Sequence, residues 1–456
     1  MILDFAGLDI ENNGNKYKII YTNIKSAVAR GAIKSGERLP SVREAAAQLK
    51  VSRTTVENAY TRLCIEGIAE SRPNRGYYII DAVKNEQSKE NSHVLYLPKT
   101  KYDFSSRRVD TLLADTDIWR KLLRSVLRDS DVLTSYGDPQ GEIELREALA
   151  AYAYRSRGVI AEASNIVIGA GVGPLLNILC GIMGRKVKVG MENGGFKEAE
   201  SIFDDYGIKS VLLESDRNGA IIKDIYEKKV DALFLLPSSL SKISVNGISR
   251  RRLEIQEWLS EDDSRIVIED DYNGELRYSA RSLPAFRSKT TEGCVYIGSF
   301  SKLLLPSVRI AYMVLPTAFA EIFNKRKAYY NQTCGKTEQL ALAKYITDGN
   351  MEKQLRRLRR MYYGKSRFLC RELENGITDL KELVLYESSL IVELKTTLKA
   401  DSRYICEIAF KNGIKIMPSN ENGAVKLCFA GIGEADIPDA VKSLNDLLAK
   451  IKYKKC

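Results

Sequence analysis

The sequence predicts two folded units of different class. The first is a small winged helix-turn-helix at the N-terminus. The second is a larger α/β unit with a mostly parallel sheet that ends in a small α+β subdomain. Three observations carry this. Residues 36–44 (GERLPSVRE) followed by 51–56 (VSRTTV) have the spacing of two short capped helices around a tight turn. Residues 82–101 are polar with few apolar anchors, the composition of a linker. From Tyr102 onward short apolar runs alternate with helical stretches, the pattern of parallel strands covered by helices.

Each element has a local reason. In the first unit, 16–81, Tyr21, Ile24, Ala27, Val28 and Ile33 recur at helical spacing. Residues 41–49 read as a second helix, with Pro40 before it and Ser41 as its cap. Ser52 caps a third helix whose inner face is Val56, Ala59, Tyr60 and Leu63, and Gly67 ends it. Residues 68–80 read as a two-stranded wing turning at 73–76. In the second unit, 102–456, strands are expected at 166–168, 187–189, 232–236, 265–268, 295–297 and 310–315. After Pro316 come long amphipathic helices carrying a basic run at 356–360, and the tail ends in a helix over 437–451.

Composition narrows the function classes. At 456 residues the chain is long enough for two to four domains. A net charge of +11 favours contact with polyanions. The eight cysteines form no CxxC pair and His93 is the only histidine, which argues against a zinc site. Scattered thiols suit a reducing cytoplasm. The first residues, MILDFA, lack the pattern of a signal peptide, and there is no apolar run of membrane-spanning length. No internal repeat is evident.

The third helix opens with Ser52, Arg53, Thr54 and Thr55, which is where a recognition helix enters the major groove. An arginine there can bond two acceptors on a guanine edge, and a threonine can bond phosphate or touch a thymine methyl. Arg43 on the preceding helix is placed to reach phosphate or base. Arg72, Arg75 and Gly76 fall at the turn of the wing, suited to phosphate or minor-groove contact.

Four patterns in the second unit converge on a pocket for pyridoxal 5'-phosphate (PLP). In 298–310 (GSFSKLLLPSVRI) Lys302 sits among apolar residues, which lowers an amine's pKa and lets it form an imine with an aldehyde. Ser299, Ser301 and Arg309 around it are donors suited to a phosphate monoester. In 268–275 (IEDDYNGE) an apolar strand ends in carboxylates. One of them, taken as Asp270, would pair with a protonated pyridine nitrogen, and Tyr272 with the phenolic oxygen. In 167–174 (VIGAGVGP) glycines free backbone N–H groups, with Val172 and Gly173 at a helix start where phosphate is cradled. The fourth is 136–141 (YGDPQG) with Leu145 and Arg146 downstream.

The stretch from Tyr21 to Ile80, through the motifs quoted, resembles the winged-helix domain of GntR-type bacterial regulators. Residues 102–456 resemble the fold-type I PLP-dependent aminotransferases. The order winged helix, linker, aminotransferase-like domain resembles the MocR/GabR subfamily of GntR regulators. The resemblance implies a cytoplasmic, PLP-binding transcriptional regulator that binds a double-stranded DNA operator as a head-to-tail homodimer, with no membrane partner. It implies that Lys302 is the imine-forming lysine, Asp270 the pyridine partner, Tyr272 the phenolate partner and Arg309 a phosphate ligand. Phe196 would stack on the cofactor, and Tyr136 would reach the phosphate of the neighbouring subunit.

Three departures bear on the effector. The subfamily's Pro–Ser–His–Gln stretch is here 237–244, with Ser239 and Leu240 in place of the polar pair. Where relatives responsive to γ-aminobutyrate carry arginines, this chain has Glu198 and Gly431. Each loss removes a bidentate donor for a carboxylate. The expected role is therefore sensing of PLP itself, or of an amine, rather than catalysis. An active aminotransferase with a DNA module, and a regulator whose pocket no longer holds PLP, are the alternatives.

Overall fold

Helix starts in the N-terminal unit are set by side chains that replace missing backbone partners. Ser41 accepts a hydrogen bond from the Glu44 amide (3.2 Å), and Glu44 Oε2 accepts one from the Ser41 amide (2.9 Å), a reciprocal box that satisfies two orphan donors. Ser52 accepts from the Thr55 amide (3.2 Å). Three helices follow: α1 (Lys16–Ala29), α2 (Val42–Gln48) and α3 (Arg53–Ile65). The computed structural model describes residues 16–73, 75–80, 100–105, 109, 115–192, 197–216, 218–237, 245–277 and 284–453. Two compact units divide the chain, Met1–Leu97 and Pro98–Cys456. Of the expected linker, only Thr100 and Lys101 lie within the described residues.

The inner face expected for α3 is fully buried: Val56, Ala59, Tyr60 and Leu63. Tyr60 donates its hydroxyl to the Pro40 carbonyl (3.0 Å), locking α3 to the segment before α2. Gly67, at φ +69°, turns the chain into β1 (Ala69–Arg72), which pairs antiparallel with β2 (Gly76–Ile79). A bridge between Arg38 and Tyr78 ties the segment before α2 to the wing. Leu63→Ala is expected to destabilise this unit by about 2–5 kcal/mol, the cost of a core cavity. Urea unfolding would measure it; a change within the ±0.5 kcal/mol of a surface substitution would contradict the packing.

The larger unit is built on seven strands: β3 (Ile166–Gly169), β4 (Lys188–Glu192), β5 (Lys209–Leu213), β6 (Ala232–Leu235), β7 (Ile266–Asp270), β8 (Cys294–Ser299) and β9 (Ala311–Val314). Their order is β3-β9-β8-β7-β6-β4-β5, with β9 antiparallel to both neighbours and the other pairings parallel. Most are buried on both faces and carry short apolar runs, and strands are present at the six expected places. The seventh, β5, is an edge strand with Lys209 and Leu212 exposed, and it gave no such run.

Alternation assigns the two faces. Ile268, Val295 and Ile297 pack with Leu175, Leu176 and Leu179 of α4 (Val172–Met183). Val267 packs with Ile255, Trp258 and Leu259 of the helix Val245–Ser260. The long helix α5 (Asn350–Gly376) leads to the small subdomain. There β10 (Leu380–Tyr386), β11 (Ile391–Thr396), β12 (Met417–Pro418) and β13 (Ala424–Cys428) form an antiparallel sheet in the order β10-β11-β13-β12. Among the described residues no helix is long and apolar enough to cross a membrane, and no group of side chains could hold a metal ion.

Candidate functional site

Strand register brings three ends to one level. Asp270 on β7 pairs with Ile297 on β8, Ser299 on β8 with Ala311 on β9, and Ala311 with Gly169 on β3. The C-terminal ends of β3, β7 and β8 therefore share one edge of the sheet, where ligands bind in open α/β folds.

At the β3 end the chain turns through Gly171 into α4. Gly171 has φ +105°, and a Cβ there would lie 2.5 Å from Arg309 Nη2. The Arg309 guanidinium thus sits against the start of α4, beside the free amides of Val172 and Gly173. Arg309 itself holds a left-handed backbone, φ +51°, unusual for a non-glycine residue and typical of strained functional sites. Its Nη1 lies 3.4 Å from Ser301 Oγ, which accepts from Ser299 Oγ at 3.3 Å. A helix start, a guanidinium and two hydroxyls converge, the donor set that binds a phosphate dianion. The Ala170 amide is already taken by Thr333 Oγ1 (3.0 Å).

Asp270 and its neighbour Asp271 have different environments. Asp271 is bound to Arg157 Nε (2.6 Å) and accepts from the Tyr296 hydroxyl (3.2 Å). Asp270 is only 3% exposed, and its Oδ1 has no hydrogen-bond partner among the described residues. Burial, with the Asp271 charge beside it, pushes the Asp270 carboxyl up to about 7. A buried acceptor without a partner is costly, which marks it as built for something else. The folded state holds this proton more tightly than the unfolded chain, whose aspartates titrate near 3.9. The sign follows: this contribution to stability is present below about pH 4 and is lost as pH rises through about 7. Thermal unfolding of the cofactor-free protein should show that fall, and Asp270→Asn should flatten it; identical pH profiles would contradict it.

Lys302 lies in the turn after β8 and is partly buried, and loss of solvent around the amine lowers its pKa; Cys428, buried at the end of β13, opposes the shift. Tyr272, just past β7, shares a hydrogen bond with Ser389 Oγ (2.8 Å), and burial pushes its hydroxyl up to about 12. Ser389 belongs to the tight turn between β10 and β11, where Leu390 also has a left-handed backbone, φ +58°. Ser389 and Cys428 were not singled out from sequence. They lie 117 and 126 residues from Tyr272 and Lys302, and no local motif links them.

The remaining expected residues differ in setting. Phe196, Ser239 and Leu240 lie outside the described residues. Tyr136 is fully exposed. Its motif is otherwise a structural clamp: Arg146 donates to the carbonyls of Gly141 (2.8 Å) and Ala163 (2.7 Å), and Gln140 to those of Ser164 and Ile166. Glu198 is exposed in the first turn of the helix Lys197–Asp205. Gly431 follows Phe429 and Ala430, both fully buried.

In the N-terminal unit Arg53 and Thr54 are exposed at the first turn of α3, Arg43 is exposed on α2, and Arg75 is exposed at the wing turn. Ser52 Oγ and Thr55 Oγ1 lie 2.7 Å apart, so both hydroxyls serve the cap. Arg72 is engaged within the wing, 2.5 Å from Glu70 and stacked 4.4 Å over the Tyr78 ring. Gly76, at φ +97°, makes room for Arg38, whose Nε would lie 3.3 Å from a Cβ at that position. Arg38 thus joins the basic surface of the wing, which sequence did not indicate.

Residues 16–79 match the model for bacterial regulatory proteins of the gntR family, and residues 99–444 match aminotransferase class I and II. The chain is 31% identical over 450 residues to an HTH-type transcriptional regulator, YdeL, of Bacillus subtilis, covering 94% of this chain and 96% of that protein. It is 27% identical over 345 residues to the HTH-type pyridoxine biosynthesis transcriptional regulator PdxR of Corynebacterium glutamicum, covering 74% of each chain. It is 25% identical to the probable rhizopine catabolism regulatory protein MocR of Rhizobium meliloti, covering 96% of this chain and 94% of that one. Among solved structures, the kynurenine aminotransferase of Pyrococcus horikoshii superposes with a TM-score of 0.68 at 22% identity, covering 78% of this chain and 92% of that one. The chain belongs to the MocR-type transcriptional regulators of the GntR family, in which a winged helix-turn-helix is joined to an aminotransferase class I and II domain.

Proposed function

We propose that this regulator holds PLP in its aminotransferase-like unit and uses it to sense a ligand rather than to turn one over. The observation that carries the reading is the orphaned, buried Asp270 carboxyl, at the same sheet edge as the anion cradle of Arg309, Ser299, Ser301 and the start of α4. These residues fit PLP. When bound, the cofactor supplies an aldehyde to an amine and an electron-withdrawing pyridine ring. Asp270, as a carboxylate, would hold a proton on the ring nitrogen. Tyr272 would donate to the phenolic oxygen, Lys302 would present a neutral amine, and Phe196 would cover the ring. Arg309, Ser299, Ser301, Val172 and Gly173 would hold the phosphate, with Tyr136 acting on the phosphate held by a second copy. The head-to-tail homodimer is carried over from the family resemblance; a second copy would have the exposed Leu133, Tyr136 and Tyr329 of one chain available to cover. On this reading the regulator works in the cytoplasm, where a bacterial operator lies.

The effector on this reading is PLP itself or an amine without a carboxylate. Glu198 and Gly431 offer no charged donor where relatives responsive to γ-aminobutyrate carry arginines, and a site without such donors discriminates against a carboxylate. The test is spectroscopic and kinetic, on protein loaded with PLP. Amines should shift the cofactor's visible absorbance while γ-aminobutyrate leaves it unchanged, and no amino acid and keto acid pair should be converted steadily. Sustained conversion would make the protein an aminotransferase and overturn the sensing role.

A further inference from the structure

The basic run at 356–360 takes no part in the site described above. Arg356 and Arg360 stand one helical turn apart on the exposed face of α5. With Arg155, Arg277, Lys289 and Arg359 they line an open groove of about 1240 Å³. Glu352 is paired with Arg155 (3.0 Å), and the buried Arg157 at the groove floor with Asp271. Arg359 donates to the Glu275 carbonyl (2.7 Å). Arg356, Arg360 and Lys289 are exposed and have no carboxylate partner among the described residues. Two exposed phenols, Tyr154 and Tyr363, also line the groove.

Unpaired cations along a groove larger than the roughly 300–1,000 Å³ of small-molecule sites call for an extended polyanion. Arginine and lysine side chains are the usual donors to phosphodiester oxygens, and tyrosine hydroxyls also serve. The chain's other unit matches a DNA-binding family, so duplex DNA is the polyanion tethered nearby whenever the regulator is bound. We infer that this groove binds the phosphate backbone of a duplex segment outside the operator. The inference rests on the DNA-binding reading of the winged helix. Such contacts add affinity without base preference and steepen the salt dependence.

The test uses the full-length protein with random-sequence duplexes of about two and about six helical turns. Arg356→Ala with Arg360→Ala should lower the slope of log affinity against log salt by about 2 on the long duplex and leave the short one unchanged. Lys289→Ala, outside α5, should lower it by about 1 in the same way, and serves alone if the double variant does not fold. Arg43→Ala with Arg75→Ala, on the winged helix, should weaken both duplexes. If that variant weakens both while the groove variants leave the long duplex unchanged, the groove inference is overturned and the DNA-binding reading stands. If the winged-helix variant changes neither, the DNA-binding reading falls and takes the groove with it. If the groove variants lose affinity for polyglutamate but not for the long duplex, the occupant is an acidic protein and the inference is again overturned.

Discussion

Treatment of the purified protein with PLP and then borohydride is expected to leave a phosphopyridoxyl label on Lys302 and on no other lysine. Lys302→Ala should lose both the label and the visible absorbance of the bound cofactor. The expectation has two independent grounds. Burial lowers the Lys302 pKa, so a larger fraction of its amine is neutral and nucleophilic near neutral pH. The same turn places Ser299, Ser301 and Arg309 together against the helix start, so the phosphate end of the cofactor has a ready-made seat. Asp270→Asn should keep the label but weaken retention of the cofactor, because the ring nitrogen loses its charged partner while the lysine and the cradle remain. Peptide mapping reads the first result, and dialysis followed by absorbance the second. A label on another lysine, or no label at all, would mean the pocket is misread.

Arg53→Ala is expected to cut specific operator affinity by about 1–3 kcal/mol, roughly 5- to 150-fold, and to relax base preference at the position it reads. Arg53 is exposed in the first turn of α3, next to Thr54, while the neighbouring Ser52 and Thr55 hydroxyls hold the cap. Among the four residues that open the recognition helix, Arg53 is therefore the long donor left to reach a base edge. Arg75→Ala should act differently: Arg75 is an exposed cation at the wing turn, and removal of a phosphate contact there would lower affinity evenly across sequences and reduce the salt slope by about 1. Binding titrations at several salt concentrations, on the operator and on scrambled duplexes, separate the two. Unchanged operator affinity in the Arg53 variant at moderate salt would remove it from the base-reading surface.

What was legible in the sequence is what is local or periodic. The caps at Ser41 and Ser52, the inner face of α3 and the hairpin wing all depend on residues a few positions apart, and each lies where expected. The buried strands were legible because a parallel sheet covered on both faces makes its strands apolar throughout; β5 escaped because an edge strand has no need to be. Motif spacing placed Lys302, Ser301 and Arg309 around one turn. It could not separate the roles of Asp270 and Asp271, adjacent carboxylates at the end of β7. The structure does, through the Arg157 partner that only Asp271 has. Ser389 reaches Tyr272 from the small subdomain, and Arg38 reaches Gly76 across the wing. Such contacts arise from tertiary packing between distant segments and leave no pattern in the sequence.

On the proposed function, one ligand site in the aminotransferase-like unit governs DNA binding by the other unit. Regulation of this kind requires only that the ligand bind two states of the protein unequally, and the coupling is a free energy that can be measured from either side. The most direct measurement is operator affinity of the cofactor-free protein with and without PLP, for the wild type and for Lys302→Ala. PLP alone should shift wild-type affinity by about 5- to 150-fold, the usual range of allosteric coupling, and leave the Lys302 variant where it started. Equal operator affinity of the wild type with and without PLP, together with a large shift on adding an α- or γ-amino acid, would contradict it.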